Sequence, residues 1–473
     1  MIGPPVDDPG AASGGDRGRP RRPGVGILLG LAAVLHVGLF VLEAWPAPRR
    51  LAGDELRYSA QAARLAAGQP VARDLLWPPG YPRFVAAAMT VGGESAVRAL
   101  QWLLLLGCLV LVADLGRRLC APGVGVEAAL LLACYPPFVA FACYLWPEIP
   151  HLFLALAAVW LLAFRSRSLF WLATAGVALG LALLLKSLLT PFLPLLLAPL
   201  LGERSRRLSH RLSGALAVVA ALGFTVAPVV WGNARSEGFF GIADSSVFNL
   251  WVGLEDTSRT AAGEDVALRE LLRYRAAGET FAARQAAARG WIGERLRQRG
   301  PGAVAVGQLA RQPFRLFDHG SFLGEQLPGG AFFARGWGYR EIPQWAPPLL
   351  RAWSGAVYVA LLLGGVAGLA VAFPWRGRWQ RVALLFVAYH FLLFLALHVK
   401  TRYRVPLLPV AALYTAVAAE AIRRAGAGGI AASLREHPWR WAAGGVVAIL
   451  VLVLAFAGGA VDAAAAAEPP AVE

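Results

Sequence analysis

Long apolar runs separated by short polar segments dominate the chain. A helix that crosses a bilayer needs about 20 predominantly apolar residues, and several runs reach or approach that length. The pattern predicts an all-α integral membrane protein with about 11 (9–13) transmembrane helices. The runs lie at about 25–45, 98–119, 124–144, 147–164, 169–185, 188–201, 211–232, 349–373, 380–399, 405–422 and 439–459.

The basic residues are unevenly distributed between the connections. Cytoplasmic loops carry an excess of Lys and Arg, and with the N-terminal tail inside every second short connection is basic. This orientation places the following segments outside: residues 46–97, the turns near 144–148, 186–188 and 399–404, and the long stretch 233–348.

The first outer loop, 46–97, contains two short helical patterns. One begins at Asp54 and carries apolar residues at helical spacing, and the other begins at Tyr81 after a Pro-Pro pair, which favours a helix start. We expect two interfacial helices lying along the membrane surface.

The predicted organisation is a disordered cytoplasmic tail (1–24), an N-terminal transmembrane catalytic module (25–232), a large extracytoplasmic loop (233–348), C-terminal transmembrane helices (349–459) and a tail (460–473).

Composition agrees with a membrane protein. Of the 473 residues, 57% are apolar and 16% are charged, against about 45–50% and about 25% in soluble domains. The formal charge of +16 would also suit a nucleic-acid-binding protein. Since most of this charge lies on alternate loops, we expect membrane lipids and no nucleic acid as partners.

Three carboxylates on the outer side are candidates for chemistry. Asp54 and Glu55 follow the first span at the start of a surface helix, where adjacent side chains point in different directions. The helix dipole also favours acidic residues in a first turn, which is a purely structural alternative. Glu148 stands at the membrane edge between apolar runs, where an ionisable group is costly and is therefore a functional candidate. Interfacial snorkelling is the alternative for Glu148.

The only two lysines of the chain, Lys186 and Lys400, fall at outer ends of predicted spans, where basic residues are disfavoured. Lys400 belongs to a cationic turn with His398, Arg402 and Arg404. Arginine grips phosphate in a bidentate manner and lysine acts as a point charge, so the cluster favours a phosphate at the membrane surface. Pairing with outer-loop carboxylates or with lipid headgroups is the alternative.

No Walker loop, HExxH motif, zinc-ligand spacing or dinucleotide-binding GxGxxG motif occurs in the sequence. We therefore expect no metal and no cofactor.

Five segments in order resemble one enzyme class. The acidic segment 53–58 is similar to that of lipid A aminoarabinose transferases and of protein O-mannosyltransferases, and Glu148 falls where relatives have an acidic residue. Segment 77–81 resembles a Pro-containing segment of these relatives, and segment 249–253 resembles the opening of their large outer loop. Segment 402–409 resembles their Arg-Tyr-Arg-x-Pro motif. Over roughly residues 25–425 the chain resembles GT-C membrane glycosyltransferases, particularly glycosyltransferase family 39.

The resemblance implies transfer of a sugar from a polyprenyl-phosphate donor to an acceptor on the outer face, with inversion. It implies Asp54 as general base, with Glu55 or Glu148 orienting a substrate. The implied phosphate-binding residues are Lys186, Lys400, Arg402 and Arg404, with His398 weaker, and further candidates in the first loop are Arg57, Tyr58 and Tyr81. The acceptor would be a glycolipid, a cell-wall polymer or a protein, and the location the inner (plasma) membrane, multi-pass, with an extracytoplasmic active site.

Two other classes remain as alternatives. A polytopic lipid or sugar transporter or flippase would show internal repeats and broken spans with charges at the midplane. A non-catalytic assembly protein gives no reason for acidic and basic groups to converge on one face.

Overall fold

All of the regular secondary structure in the described part of the chain is helical, which confirms the predicted all-α class. The computed structural model describes residues 23–44, 48–71, 75–203, 205–260, 265–372 and 377–467. The predicted tail 1–24 therefore lies outside the described residues, apart from its last two, and so does the end of the predicted tail 460–473.

The helices and two 3₁₀ helices (η) follow one another along the chain. Their bounds are α1 Pro23–Ala44, α2 Asp54–Ala66, α3 Gly80–Leu119, α4 Pro122–Ala133, α5 Pro136–Ala140, α6 Glu148–Phe164, α7 Leu169–Leu185, η1 Ser187–Phe192, α8 Leu193–Leu201, α9 Leu208–Glu237, α10 Ser246–Glu255, α11 Asp265–Ala276, α12 Phe281–Arg299, α13 Pro301–Leu309, α14 Gln312–Phe317, α15 Phe322–Gln326, α16 Ala331–Ala334, α17 Ala346–Val371, α18 Arg378–Ala396, η2 Thr401–Leu407, α19 Leu408–Glu436, α20 Pro438–Phe456 and α21 Gly458–Ala467.

Seven helices within the described residues are long and apolar enough to cross a membrane. They lie in α1, α3, α9, α17, α18, η2 with α19, and α20. Four shorter apolar helical segments occupy the remaining predicted runs, at Pro122–Ala133, Glu148–Phe164, Leu169–Leu185 and Ser187–Leu201. The chain is thus a multi-pass membrane protein.

Two of the predicted runs are interrupted. The run 124–144 ends as a helix at Ala133, because Pro136 and Pro137 begin a separate short helix, α5. The run 188–201 starts as a 3₁₀ helix that contains Pro191 before α8 begins. Proline lacks the backbone donor that a continuous helix requires, which accounts for both breaks.

The first loop, residues 46–97, forms the two helical segments predicted from its sequence. The first is α2, and the second is the start of α3, which has non-helical backbone angles at Gly92 and Gly93 before it continues as a span. Packing between α2 and α3 holds the first loop against the bundle. Within the predicted large loop 233–348, the helices α11, α12, α13 and α14 follow one another between residues 265 and 317.

The main core surrounds the segment 135–146, which is buried throughout. This segment connects α4 to α6 and packs against α1, α3, α15, α17 and α19. Several element ends meet beside it: the start of α2, the start of α6, the end of α7 and η2. The candidate site lies where these ends meet.

Candidate active site

Asp54 and Arg402 form the contact on which the site is built. Asp54 is the first residue of α2, and the preceding Gly53 has φ 57°, a left-handed conformation that side chains other than glycine rarely adopt. The Arg402 Nη2 donates to Asp54 Oδ2 at 2.8 Å across 348 residues of sequence. A second guanidinium, that of Arg57, lies 3.9 Å from Asp54 Oδ1.

These cations determine the charge of Asp54. Burial alone would raise the pKa of Asp54, but the positive charges of Arg402, Arg57 and Lys400 outweigh burial and lower this pKa well below its usual range. The Asp54 side chain remains 27% exposed, so a substrate can reach it. Asp54 is therefore an accessible carboxylate that is ionised at neutral pH.

Glu148 lies on the other side of Arg402. It is the first residue of α6, its side chain is 2% exposed, and its Oε1 accepts from Lys186 Nζ at 3.0 Å. The Arg402 Nε lies 3.9 Å from the same oxygen. Glu148 Oε2 is buried and has no hydrogen-bond partner among the described residues. One guanidinium thus bridges two carboxylates, one of which keeps a free oxygen.

Aromatic faces fix the cations in place. Arg402 lies over the ring of Trp146 at 3.9 Å from its centroid, and Arg57 lies over Trp77 at 3.6 Å. The Lys186 ammonium is 5.3 Å from the ring centroid of Tyr403. Cation–π contacts hold a positive charge without neutralising it, so the cations remain able to attract an anion.

A small cleft that is partly open to solvent lies beside Arg402. Lys400 and Arg402 line the cleft, and Trp146 and Phe322 contribute aromatic surface. The other charged side chains of the lining are Asp318, Glu325 and Arg335. The cleft therefore connects the predicted cationic turn with the long segment 233–348.

Glu55 occupies a different environment from its neighbour Asp54. Its side chain is 0% exposed and forms a bidentate pair with Arg49, at 2.6 and 2.8 Å. The backbone amides of Ala52 and Leu145 donate to the same carboxylate, each at 2.9 Å. Arg49 also contacts Glu43 at 2.8 Å. The Glu55 carboxylate is fully occupied in joining the first loop to the buried segment 135–146.

Two members of the predicted cationic turn, Arg404 and His398, have buried side chains, and that of Arg404 is committed to internal hydrogen bonds. Arg404 is 6% exposed and donates to the carbonyls of Asp318 and Gly320 and to the Tyr358 hydroxyl. His398 is 2% exposed, and its amide donates to the Asn249 carbonyl at 2.9 Å. Burial, together with the charges of Arg315, Lys400 and Arg402, lowers the pKa of His398 well below its usual range, so this ring is neutral.

Tyr58 and Tyr81, the other first-loop candidates, pack against each other edge to face, with ring centroids 4.9 Å apart. Tyr81 is fully buried and donates to Gln101 Oε1 at 2.9 Å. Tyr58 is also buried, and burial raises the pKa of its phenol. The two rings support the helix that carries Asp54 and Arg57.

The structure brings Asp54, Glu148, Lys186 and Arg402 into one cluster, with Arg57 and Lys400 beside it. Sequence reasoning missed Trp146 as the platform for Arg402, although this residue stands two positions before Glu148. It also missed Arg49 and the acidic residues of the cleft. Among the described residues no group of three or more His, Cys, Asp or Glu side chains is arranged to hold a metal ion.

Comparison with known protein families gives one match. The family model described as dolichyl-phosphate-mannose-protein mannosyltransferase matches residues 77–231, which is less than half of the chain. No curated protein matches the chain.

Two of the solved structures with a similar fold are the following. The apo form of the Archaeoglobus fulgidus oligosaccharyltransferase has a TM-score of 0.49 at 15% identity, covering 93% of this chain and 55% of that one. ArnT from Cupriavidus metallidurans, bound to undecaprenyl phosphate, has a TM-score of 0.38 at 16% identity, covering 85% of this chain and 79% of that one. The chain spans about half the length of the archaeal enzyme.

Proposed function

We propose that this chain is a membrane glycosyltransferase of the GT-C class. It moves a sugar from a polyprenyl-phosphate carrier to an acceptor on the extracytoplasmic face. The match over residues 77–231 confirms the GT-C resemblance recognised in the sequence. The observation that carries the proposal is the position of Arg402, which contacts both candidate carboxylates and also lines the cleft.

The charge of the cluster suits a phosphate-linked donor. Four cations, Lys186, Lys400, Arg402 and Arg57, surround the two carboxylates Asp54 and Glu148, which leaves a net charge of +2. A donor phosphodiester carries one negative charge, and the phosphate released by transfer carries more. Positive charge fixed in place stabilises this developing charge, which is the largest contribution in many enzymes.

Asp54 acts as the general base. It takes the proton of the acceptor hydroxyl as the acceptor oxygen bonds to the anomeric carbon, and the bond from that carbon to the phosphate oxygen breaks with its electron pair on the phosphate. Direct attack of this kind inverts the anomeric configuration. Because Arg402 lowers the basicity of Asp54, the donor phosphate has to compete for Arg402 and thereby release the carboxylate.

Glu148 holds Lys186 and Arg402 in position beside Asp54, because its side chain is buried and contacts these two cations. Glu55 has a positioning role, since all of its contacts are internal. Arg404 and His398 likewise support the turn and do not contact the phosphate, whereas Arg57 completes the cation set.

The apolar spans hold the prenyl chain, which requires the reaction to take place at the membrane edge. The site lies at the ends of the spans opposite to those that carry Arg117, Arg118 and Arg165. Since arginine-rich ends face the cytoplasm, the site faces outward from the inner membrane.

The test is transfer by purified full-length protein from a panel of polyprenyl-phosphate sugars, with products identified by mass spectrometry. In Asp54→Asn we expect kcat to fall by about 10²–10⁴-fold, as for loss of a general base. The donor KM should stay equal or decrease, because Arg402 is no longer paired. Near-normal kcat in this variant would contradict the base role.

The matched control is Asp462→Asn. Asp462 is also 27% exposed and also pairs with an arginine, Arg259, at 3.0 Å, but outside the cluster. Its loss should leave transfer unchanged. If no donor of the panel supports transfer by the wild-type protein, the proposed activity is wrong.

A further inference from the structure

A second cleft lies at the opposite ends of the spans from the site. It encloses about 1100 Å³ of unfilled space, part of it open to solvent, between the α6–α7 connection, the end of α8 and the start of α18. Among the described residues, its charged lining consists of one glutamate, Glu203, and four arginines, Arg165, Arg167, Arg206 and Arg378. The lining therefore carries a net charge of +3.

Two of these arginines are held in place by other residues. Arg206 donates to the Ser166 carbonyl at 2.6 Å and to its hydroxyl at 3.0 Å, and pairs with Glu203 at 3.1 Å. Arg378 donates to the Pro199 carbonyl at 3.2 Å. The single carboxylate of the cleft is thus already engaged by Arg206.

The other two arginines are exposed, and neither contacts a carboxylate among the described residues. Arg165 lies 5.6 Å from the ring centroid of Trp160, and Arg167 is in the turn that leads to α7. The positive-inside rule accounts for arginines on this side of the membrane, but it does not require them to surround a cavity. Their convergence on a cleft indicates a bound anion.

The cleft is separate from the candidate active site. α6 begins at Glu148 and ends at Phe164, and its 17 residues span about 25 Å at about 1.5 Å per residue. The two sites therefore occupy opposite surfaces of the bilayer.

We propose that this cleft binds the phosphodiester headgroup of an anionic membrane lipid. Basic pockets between transmembrane helices on the cytoplasmic side bind such headgroups. Arg165 and Arg167 supply the free charges, and the held guanidiniums of Arg206 and Arg378 shape the pocket.

The apolar part of the lining favours a lipid over free phosphate. Leu162, Leu200 and Trp171 line the same cleft, and Phe170, next to it on α7, is 68% exposed. An acyl chain attached to a headgroup in the cleft would cover this apolar surface, whereas an inorganic anion would not.

The experiment titrates delipidated full-length protein in an uncharged detergent with phosphatidylglycerol and counts bound lipid by native mass spectrometry. In Arg165→Gln/Arg167→Gln we expect the apparent Kd for phosphatidylglycerol to rise about 25-fold, about fivefold for each arginine. Phosphatidylcholine should bind weakly and equally to both proteins. The two single variants, each expected to lose about fivefold, keep the test valid if the double variant does not fold.

The matched control is Arg117→Gln/Arg118→Gln, which removes two arginines from the same end of the bundle but outside the cleft. An equal loss in this control would reduce the effect to general surface charge and would overturn the proposal. Unchanged phosphatidylglycerol binding in the cleft variant would also overturn it. Displacement of the lipid by millimolar inorganic phosphate would assign the cleft to a free anion instead. None of these readouts involves sugar transfer, so the lipid-binding proposal can fail while the proposed function holds, and the reverse.

Discussion

Replacing Arg402 with glutamine tests whether this guanidinium keeps Asp54 ionised. Burial favours the protonated form of Asp54, and the charges of Arg402, Arg57 and Lys400 lower its pKa in spite of this. A base with a lowered pKa stays ionised until the pH falls through that pKa. The wild-type enzyme should therefore keep its activity to a lower pH than an ordinary aspartate base allows. In Arg402→Gln the pKa of Asp54 rises, and activity should be lost at a higher pH.

The size of this change follows from the geometry of the pair. Two unit charges about 4 Å apart interact by about 4 kcal/mol at an effective dielectric constant of about 20, and an arginine beside an aspartate lowers its pKa by about 1 to 3. Asp54 is 27% exposed, and two other cations remain near it. We therefore expect the acid limb of kcat/KM to move upward by about 1 to 2 pH units.

The variant Arg402→Lys distinguishes the effect of the positive charge at position 402 from the effect of the guanidinium geometry. Lysine keeps the positive charge, so the acid limb should stay near that of the wild-type enzyme. One ammonium cannot contact both Asp54 and Glu148 while it covers the Trp146 ring as the guanidinium does. The rate at the plateau should therefore fall by about 10²-fold in both variants, as when a positioned donor is removed.

The assay is the initial rate of sugar transfer over pH 2 to 8 at constant ionic strength and low donor concentration, because the lowered pKa of Asp54 places the acid limb below the range of an ordinary aspartate. Arg259→Gln, which removes the partner of Asp462, is the matched control and should leave the profile unchanged. An acid limb at the same pH in wild type and Arg402→Gln would refute the link between Arg402 and the base.

Two further substitutions distinguish chemistry from support. In Glu148→Gln, which leaves Lys186 and Arg402 without their shared carboxylate, we expect kcat/KM of the folded protein to fall by about 10²-fold, measured by initial rates. Thermal unfolding should also occur at a lower temperature, because the removed carboxylate is buried and paired; a drop in stability with normal turnover would give Glu148 a purely structural role. In Glu55→Gln, which breaks a fully buried pair with Arg49, we expect a loss of about 3 to 5 kcal/mol in the free energy of unfolding, and donor affinity of the folded fraction should not change. A fully stable Glu55→Gln enzyme without activity would return Glu55 to the catalytic set.

The sequence predicted the cluster because its charges violate a simple rule. Lys186, Lys400 and Arg402 stand at ends of spans where cations are disfavoured, and Glu148 stands where a carboxylate is costly. Each of these positions is anomalous against an apolar background, so a single sequence suffices to identify it. The predicted topology placed these residues on the same side of the membrane, where they could contact one another.

Other parts of the site depend on tertiary contacts that leave no local signal. Asp54 and Glu55 are adjacent in sequence, yet one reaches the cluster and the other is buried against Arg49. Arg49 in turn donates to Gln326, which is 277 residues away in sequence. Trp146 looks like an ordinary aromatic residue at a membrane interface. The breaks in the runs 124–144 and 188–201 did have a signal, since proline residues mark both, but apolar character outweighed it in the prediction.

The cluster draws its members from widely separated parts of the chain. Asp54 comes from the first loop, Glu148 and Lys186 from the two ends of the α6–α7 hairpin, and Arg402 from a turn that is synthesised more than 200 residues later. During biosynthesis the carboxylates and Lys186 enter the membrane long before their bridging arginine is made. A nascent or truncated protein therefore lacks the assembled cluster, and under the proposed function sugar transfer would report that the late spans have been inserted and docked.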